Sequence, residues 1–236
     1  MSDEGYFQGF QKRLHDVNDR ITEAARSVGR NPAEITLLAV SKTQPIENLE
    51  AAYQAGVRLF GENRVAEGLI KRPRLPSDAD IHMIGNIQSN KVPGIPGTFA
   101  TVHSISRAKI LKALEKYAAD ADQQIDILLE VHTSGEESKS GVESFEELVS
   151  LSEIALVLPH LNLKGLMTMA PWVKDESILR PCFITLREWR DKLATTLGHP
   201  LPVLSMGMSN DYEIAIQEGA TLVRIGTALF GERIMK

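Results

Sequence analysis

The sequence has 236 residues, 43% of them hydrophobic and 24% charged, with 26 basic against 31 acidic side chains and a formal charge of −5. A folded chain of that length buries roughly 70% of its unfolded surface without staples, and its one cysteine, Cys182, rules out an internal disulfide or a multi-cysteine metal site. The acidic balance speaks against a dedicated nucleic-acid binder, and apolar runs such as 35–40 fall far short of the ~20 residues of a membrane span.

The opening Met1-Ser2-Asp3-Glu4 has no apolar core of a secretory signal. The expectation is a reduced, cytoplasmic protein with neither a nucleic-acid nor a membrane partner, folded as one domain over 1–236. A long amphipathic helix is predicted over about 7–28, where Phe7, Phe10, Leu14, Val17, Ile21, Ala24, Ala25 and Val28 follow helical spacing. Eight short, nearly continuous apolar runs follow, at 35–42, 58–63, 80–85, 98–105, 125–133, 161–170, 202–208 and 221–226. Runs of that kind suit parallel strands buried on both faces. Helices are predicted between them at 46–55, 106–121, 144–158, 176–197 and 211–218, with Pro45 as a start and Gly56, Gly198 and Gly219 as stops. The stretches 71–78 and 93–97 read as loops. Strand-then-helix units in this number predict an α/β (β/α)8 TIM barrel with an extra N-terminal helix. The competitor is a doubly wound open sheet. Its dinucleotide-binding form would carry G-x-G-x-x-G after the first strand, where this chain has Ser41-Lys42-Thr43-Gln44-Pro45.

Barrel function collects at the C-terminal ends of the strands, and polar residues concentrate there. Lys42 closes the first strand, on the same face as Leu38 and Val40. A lysine at the end of a buried strand either snorkels to water or, desolvated, becomes the nucleophilic amine of a Schiff base. Ser205-Met206-Gly207-Met208-Ser209-Asn210 closes the seventh strand, and Gly226-Thr227 the eighth. Each leads into a helix N-terminus, whose free N–H groups suit a phosphate. The alternative is a plain N-cap at Ser209 or Asn210 and a plain turn at Gly226. Arg224 lies inside the eighth run and needs an acceptor. That acceptor is either a buried glutamate such as Glu62 or Glu130, or a ligand nitrogen or carboxylate. A lysine, two anion-binding loops and a strand-end arginine together suggest pyridoxal 5′-phosphate (PLP). The histidines show no metal-ligand spacing. His82 and His103 either line the mouth or are satisfied core residues. Lys139, in a polar loop after the fifth strand, is a second amine near the mouth.

The blocks Ala39-Val40-Ser41-Lys42, Phe60-Gly61-Glu62-Asn63, Ile84-Gly85 with Gln88-Ser89-Asn90-Lys91, Glu137-Ser138-Lys139-Ser140-Gly141, Gly165-Leu166-Met167-Thr168-Met169, Leu204-Ser205-Met206-Gly207-Met208-Ser209 and Val223-Arg224-Ile225-Gly226-Thr227-Ala228-Leu229-Phe230-Gly231 run in order along most of the chain. Together they resemble the signature blocks of the pyridoxal phosphate homeostasis proteins, single-domain relatives of the alanine racemase barrel (fold type III). The resemblance implies PLP held as a Schiff base on Lys42 and Arg224 facing the pyridine nitrogen. It implies that Ser205, Ser209, Gly226 and Thr227 hold the phosphate, with Asn63, His82 and Met206 near the ring. His132 and Asn86 depart from the pattern and bear on ring-side contacts only.

Two physical points bear on catalysis. An arginine beside the pyridine nitrogen disfavours its protonation, which weakens the ring as an electron sink, although racemases of this barrel type work with such an arginine. Racemisation also needs an acid/base group on each face of the substrate. In the alanine racemases the second comes from an added β domain of the partner subunit, for which the barrel leaves no length here. Of Tyr6, Tyr53, Tyr117 and Tyr212, only Tyr212 closely follows a site motif. The expectation is therefore a non-catalytic or barely catalytic, monomeric protein that buffers, protects or delivers PLP to apo-enzymes. Its rivals are an amino-acid racemase or lyase and an imine-forming aldolase-like barrel.

Overall fold

The computed structural model describes residues 3–134 and 140–231. Strands β1 (Thr36–Val40), β2 (Leu59–Glu62), β3 (Asp80–Met83), β4 (Thr101–Ile105), β5 (Ile125–Glu130), β6 (Leu161–Met167), β7 (Val203–Met208) and β8 (Leu222–Ile225) close in sequence order into a barrel. Neighbours are parallel, and β8 returns beside β1 with Leu38 level with Arg224. Each strand falls inside its predicted run.

Alternation within the strands divides the barrel into two surfaces. Leu38, Val40, Ile84 and Leu222 form a small cluster in the lumen. The intervening residues, Ala39, Phe60, Ile81, Val223 and Ile225 among them, join the large core between sheet and helices. The helices are α1 (Asp3–Ser27), α2 (Ile46–Gln54), α3 (Val65–Lys71), α4 (Ala108–Asp120), α5 (Phe145–Leu156), α6 (Glu176–Leu197), α7 (Tyr212–Gln217) and α8 (Thr227–Phe230). The close of α6 follows the sequence signal: Gly198 takes φ 59 at its end, a left-handed stop that glycine adopts without strain.

One connection differs from expectation, and another departs from the regular strand–helix repeat. Helix α3 falls in a stretch assigned no element. Gly68 weakens its helical signal, but a Cβ there would come within 2.2 Å of the Phe99 ring, so the glycine lets that ring pack onto the helix. Between β3 and β4 the chain makes a 3-10 segment, Ser89–Gly94, in place of an α-helix. Pro93 inside it removes a backbone donor.

Helix α1 closes the outside of the barrel near its last strand. Phe10 is fully buried, with its ring 5.3 Å from that of Phe230. Arg13 donates from Nε to the Leu229 carbonyl at 2.6 Å.

Candidate functional site

Lys42 leaves β1 on the lumen side, following the alternation of Leu38 and Val40, and is partly exposed at the rim. Strand β1 runs between β2 and β8, so Lys42, Asn63 and Gly226 leave adjacent strands. A Cβ on Gly226 would lie 3.4 Å from that of Val40, and one on Gly85 would come within 2.4 Å of the Asn63 carbonyl. Small residues thus keep the rim beside Lys42 narrow.

Below the rim a hydrogen-bonded chain crosses the lumen. Arg224 donates from Nη1 to Ser205 Oγ at 2.6 Å and from Nη2 to the Thr168 carbonyl at 2.8 Å. Ser205 Oγ lies 3.0 Å from His103 Nδ1, and His103 Nε2 lies 2.9 Å from His82 Nδ1. Guanidinium nitrogens only donate, so Ser205 Oγ accepts from Arg224. The order that uses each proton once then sends the Ser205 proton to His103 Nδ1 and the His103 Nε2 proton to His82. That leaves His82 with a donor at Nε2.

Electrostatics agree with this order. Burial pushes the His82 imidazole down to about 3 and holds His103 well below its ordinary value, with His82 and Arg224 adding to the effect on His103. Both rings are neutral at neutral pH. Burial also lowers Arg224, to about 10, against the pull of Asp211 and Glu130, so it keeps its charge. The alternative acceptors do not take it: Glu62 pairs with Lys71 outside the lumen, and Glu130 accepts from Ser140 at 2.9 Å.

The loops after β7 and β8 are tied together by Ser209. Its Oγ accepts from the backbone N–H of Gly226 and of Ala228, both at 3.3 Å. The plain N-cap reading therefore fails at Ser209, and the residue before α7 is Asp211. Asp211 Oδ1 accepts from the Met208 amide at 2.6 Å and so shapes the loop. Helix α8 has four residues, too few for a useful macrodipole. What counts is that its first N–H groups have no partner within the helix and converge on one point.

A family model, alanine racemase N-terminal domain, matches residues 15–234. The pyridoxal phosphate homeostasis protein of Aquifex aeolicus (strain VF5) is 44% identical over 223 residues, covering 94% of this chain and 97% of that one. The chain belongs to the pyridoxal phosphate homeostasis protein family. Among solved structures, PipY of Synechococcus elongatus PCC7942 with PLP bound matches with a TM-score of 0.82 at 31% identity, over 94% of this chain and 100% of that one. Alanine racemase from Corynebacterium glutamicum shares the fold, with a TM-score of 0.69 at 20% identity. There the match spans 94% of this chain and 64% of that one.

The lumen and rim of this family member offer an amine, a fixed cation, neutral imidazoles and, in the loops after β7 and β8, two N–H groups that converge on Ser209 Oγ with Thr227 between them in sequence. Such donors complement an aldehyde, a ring nitrogen that accepts, and a phosphate. Among the described residues no group of three or more His, Cys, Asp or Glu could hold a metal ion. Two site residues stand differently from the rest. The Met206 side chain is fully buried in the core between sheet and helices, which leaves its backbone for the lumen. The Ser205 hydroxyl is already engaged by Arg224 and His103. Of the two departures, Asn86 is exposed, and His132 Nε2 lies 3.1 Å from Ser134 Oγ. Lys139 lies outside the described residues.

The residue reading missed what stands behind Lys42. Glu62 and Ser41 point away from the lumen, toward α3, where Lys71 Nζ lies 2.7 Å from Glu62 Oε1. A fully buried glutamate on a strand requires a cation. In the sequence Lys71 opens the stretch 71–78 that reads as a loop, so its pairing with Glu62 is not visible there.

Proposed function

We propose that this protein binds pyridoxal 5′-phosphate on Lys42 and serves intracellular PLP homeostasis without appreciable turnover of amino acids. The observation that carries the reading is the gathering of three polar groups at the C-terminal end of the barrel: Lys42 after β1, the Arg224–Ser205–His103–His82 chain across the lumen, and the Ser209 loop. PipY, solved with PLP bound, and the Aquifex relative, a pyridoxal phosphate homeostasis protein, support it.

When bound, the cofactor supplies an aldehyde for an amine and a ring able to accept electron density. Lys42 supplies the amine. Arg224 stays charged and fixed by Ser205 and Thr168, so it disfavours a second cation beside it. Gly226, Ala228, Ser209 and Thr227 supply donors for the phosphate, with Asn63, His82 and the Met206 backbone at the ring. Acid/base chemistry on a substrate needs a group that titrates near the working pH. His82 is held at about 3. Tyr212 is buried on the outer face of the sheet, under the Arg20 guanidinium, and pushed up to about 12 by burial. Neither suits the second base of a racemase.

On this reading the chain acts as one domain, as a monomer in the cytoplasm, and meets apo PLP-dependent enzymes transiently. The test incubates PLP-loaded protein with an apo-aminotransferase and, separately, with single amino acids. The expected result is recovered transaminase activity with amino-acid turnover at buffer level. Racemisation or elimination that disappears in Lys42→Ala would instead make the protein an enzyme.

A further inference from the structure

Lys42 is followed by a residue in an unfavourable conformation. Thr43 has φ +63, a region sparsely populated by β-branched residues. Strain of that kind persists where surrounding contacts over-determine it. Here those contacts come from outside the lumen. The Thr43 amide donates to Glu67 Oε2 at 2.7 Å. Lys71 Nζ lies 3.2 Å from the same oxygen, 2.7 Å from Glu62 Oε1 and 2.9 Å from the Ser41 carbonyl. Ser41 Oγ donates to Glu62 Oε1 at 2.6 Å. Both chain neighbours of Lys42 are therefore bound to one buried cluster on α3 and β2, and its centre, Lys71, has a side chain only 7% exposed.

We propose that Lys71 is a positioning residue for Lys42: its ammonium fixes the Ser41 carbonyl directly and the Thr43 amide through Glu67, and so sets the direction in which the Lys42 amine enters the lumen. The inference rests on Lys42 as the cofactor-bearing amine. The three N–H donors of Lys71 match its three acceptors, so it is a charged strut and not a second amine for cofactor. The clamp lies behind the barrel wall, with the Glu62–Lys71 pair bridging β2 and α3 and the Glu67–Thr43 bond reaching the loop after β1. A small displacement there moves the Lys42 side chain without changing the lumen residues.

The test compares wild type, Lys71→Met, Glu67→Ala and Lys71→Met combined with Thr43→Gly. Circular dichroism and thermal melting check folding. Two readouts follow: PLP trapped on Lys42 by borohydride, mapped by mass spectrometry across a pH series, and competitive acetylation of each lysine with no cofactor present. A folded Lys71→Met should lose about tenfold in trapped Lys42, since misplacing a reacting group by an ångström costs that much or more. Its Lys42 acetylation rate should change while those of other lysines do not. Thr43→Gly, which accepts positive φ without steric cost, should return trapping to within about threefold of wild type. A folded Lys71→Met with unchanged trapping, pH profile and acetylation would overturn the proposal. Should Lys71→Met not fold, Glu67→Ala decides by the same readouts, because it removes the acceptor of the Thr43 amide and leaves the Lys71–Glu62 pair intact. If wild type traps no PLP at all, the cofactor reading is what fails, and acetylation alone then decides the role of Lys71.

Discussion

Arg224 shows how one side chain links a lone polar residue to a whole site. Its planar fork reaches Ser205 Oγ and the Thr168 carbonyl at once. A lysine offers one nitrogen in place of that fork, so it does not reproduce two contacts made by separate guanidinium nitrogens. Arg224→Lys should cost of order 1–3 kcal/mol in unfolding free energy through the acceptors left unpaired. It should also weaken PLP about tenfold, the worth of one ~1.4 kcal/mol contact. Urea denaturation and a PLP titration measure the two effects. The histidines give a pH prediction. His82 and His103 bind protons less readily folded than unfolded, because burial depresses both. Their contribution is complete above the ordinary value of 6.5 and is lost as pH falls toward about 3, the folded value of His82. Glu62 and Glu130 act in the opposite sense, being raised by burial above 4.5. The two effects overlap as pH falls from 6.5 toward 4.5, so a substitution is needed to isolate the histidine part across that window. His103→Gln should flatten the fall of the urea midpoint across that window, and an unchanged slope would show that these rings do not set it. At this scale the sequence was legible wherever a polar residue interrupted a buried run: Lys42, Arg224 and Ser209 stood out in that way. The partner of Glu62 did not, because a strand residue facing outward finds its cation on a helix, and the helix itself was hidden by Gly68.

Among the elements, the strands were the most legible and the connections the least. A strand buried on both faces leaves a run of apolar residues whatever its neighbours do. A connection depends on tertiary fit, as with Phe99 over Gly68, or on a proline, as in the 3-10 segment before β4. Strand β6 depends on one glycine in the same way. A Cβ on Gly165 would lie 1.9 Å from the Val203 carbonyl oxygen on β7, so backbone must move to admit it. Gly165→Ala should destabilise by about 2 kcal/mol or more, read as a lower urea midpoint. Helix α1 acts at a distance. Phe10 packs on Phe230, next to the loop in which Gly226 and Ala228 donate to Ser209. Phe10→Ala should cost about 3–5 kcal/mol. Under conditions where the variant remains folded it should release PLP severalfold faster in stopped-flow dilution. Unchanged release would mean that α1 supports the fold alone.

For the molecule as a whole, the barrel explains why so few residues specify so much. Eight parallel strands in sequence order aim their ends at one rim, and residues from 42 to 227 meet there. The resemblance could anticipate that convergence because its blocks are those strand ends. It could not anticipate the support behind the wall, which belongs to no single strand. Among the described residues no helix is long and apolar enough to cross a membrane. Sedimentation of the loaded protein should give a single species near the mass of one chain, and a concentration-dependent dimer would contradict the monomer reading.

The central claim, that Lys42 carries the cofactor, is tested most directly by the near-UV and visible spectrum of purified protein with added PLP, wild type beside Lys42→Ala. Wild type should show an absorption band that borohydride fixes covalently, and Lys42→Ala should lack it. A band that persists in Lys42→Ala would transfer the role to another amine, with Lys139 the first to replace. No band in either protein would contradict the assignment of PLP itself.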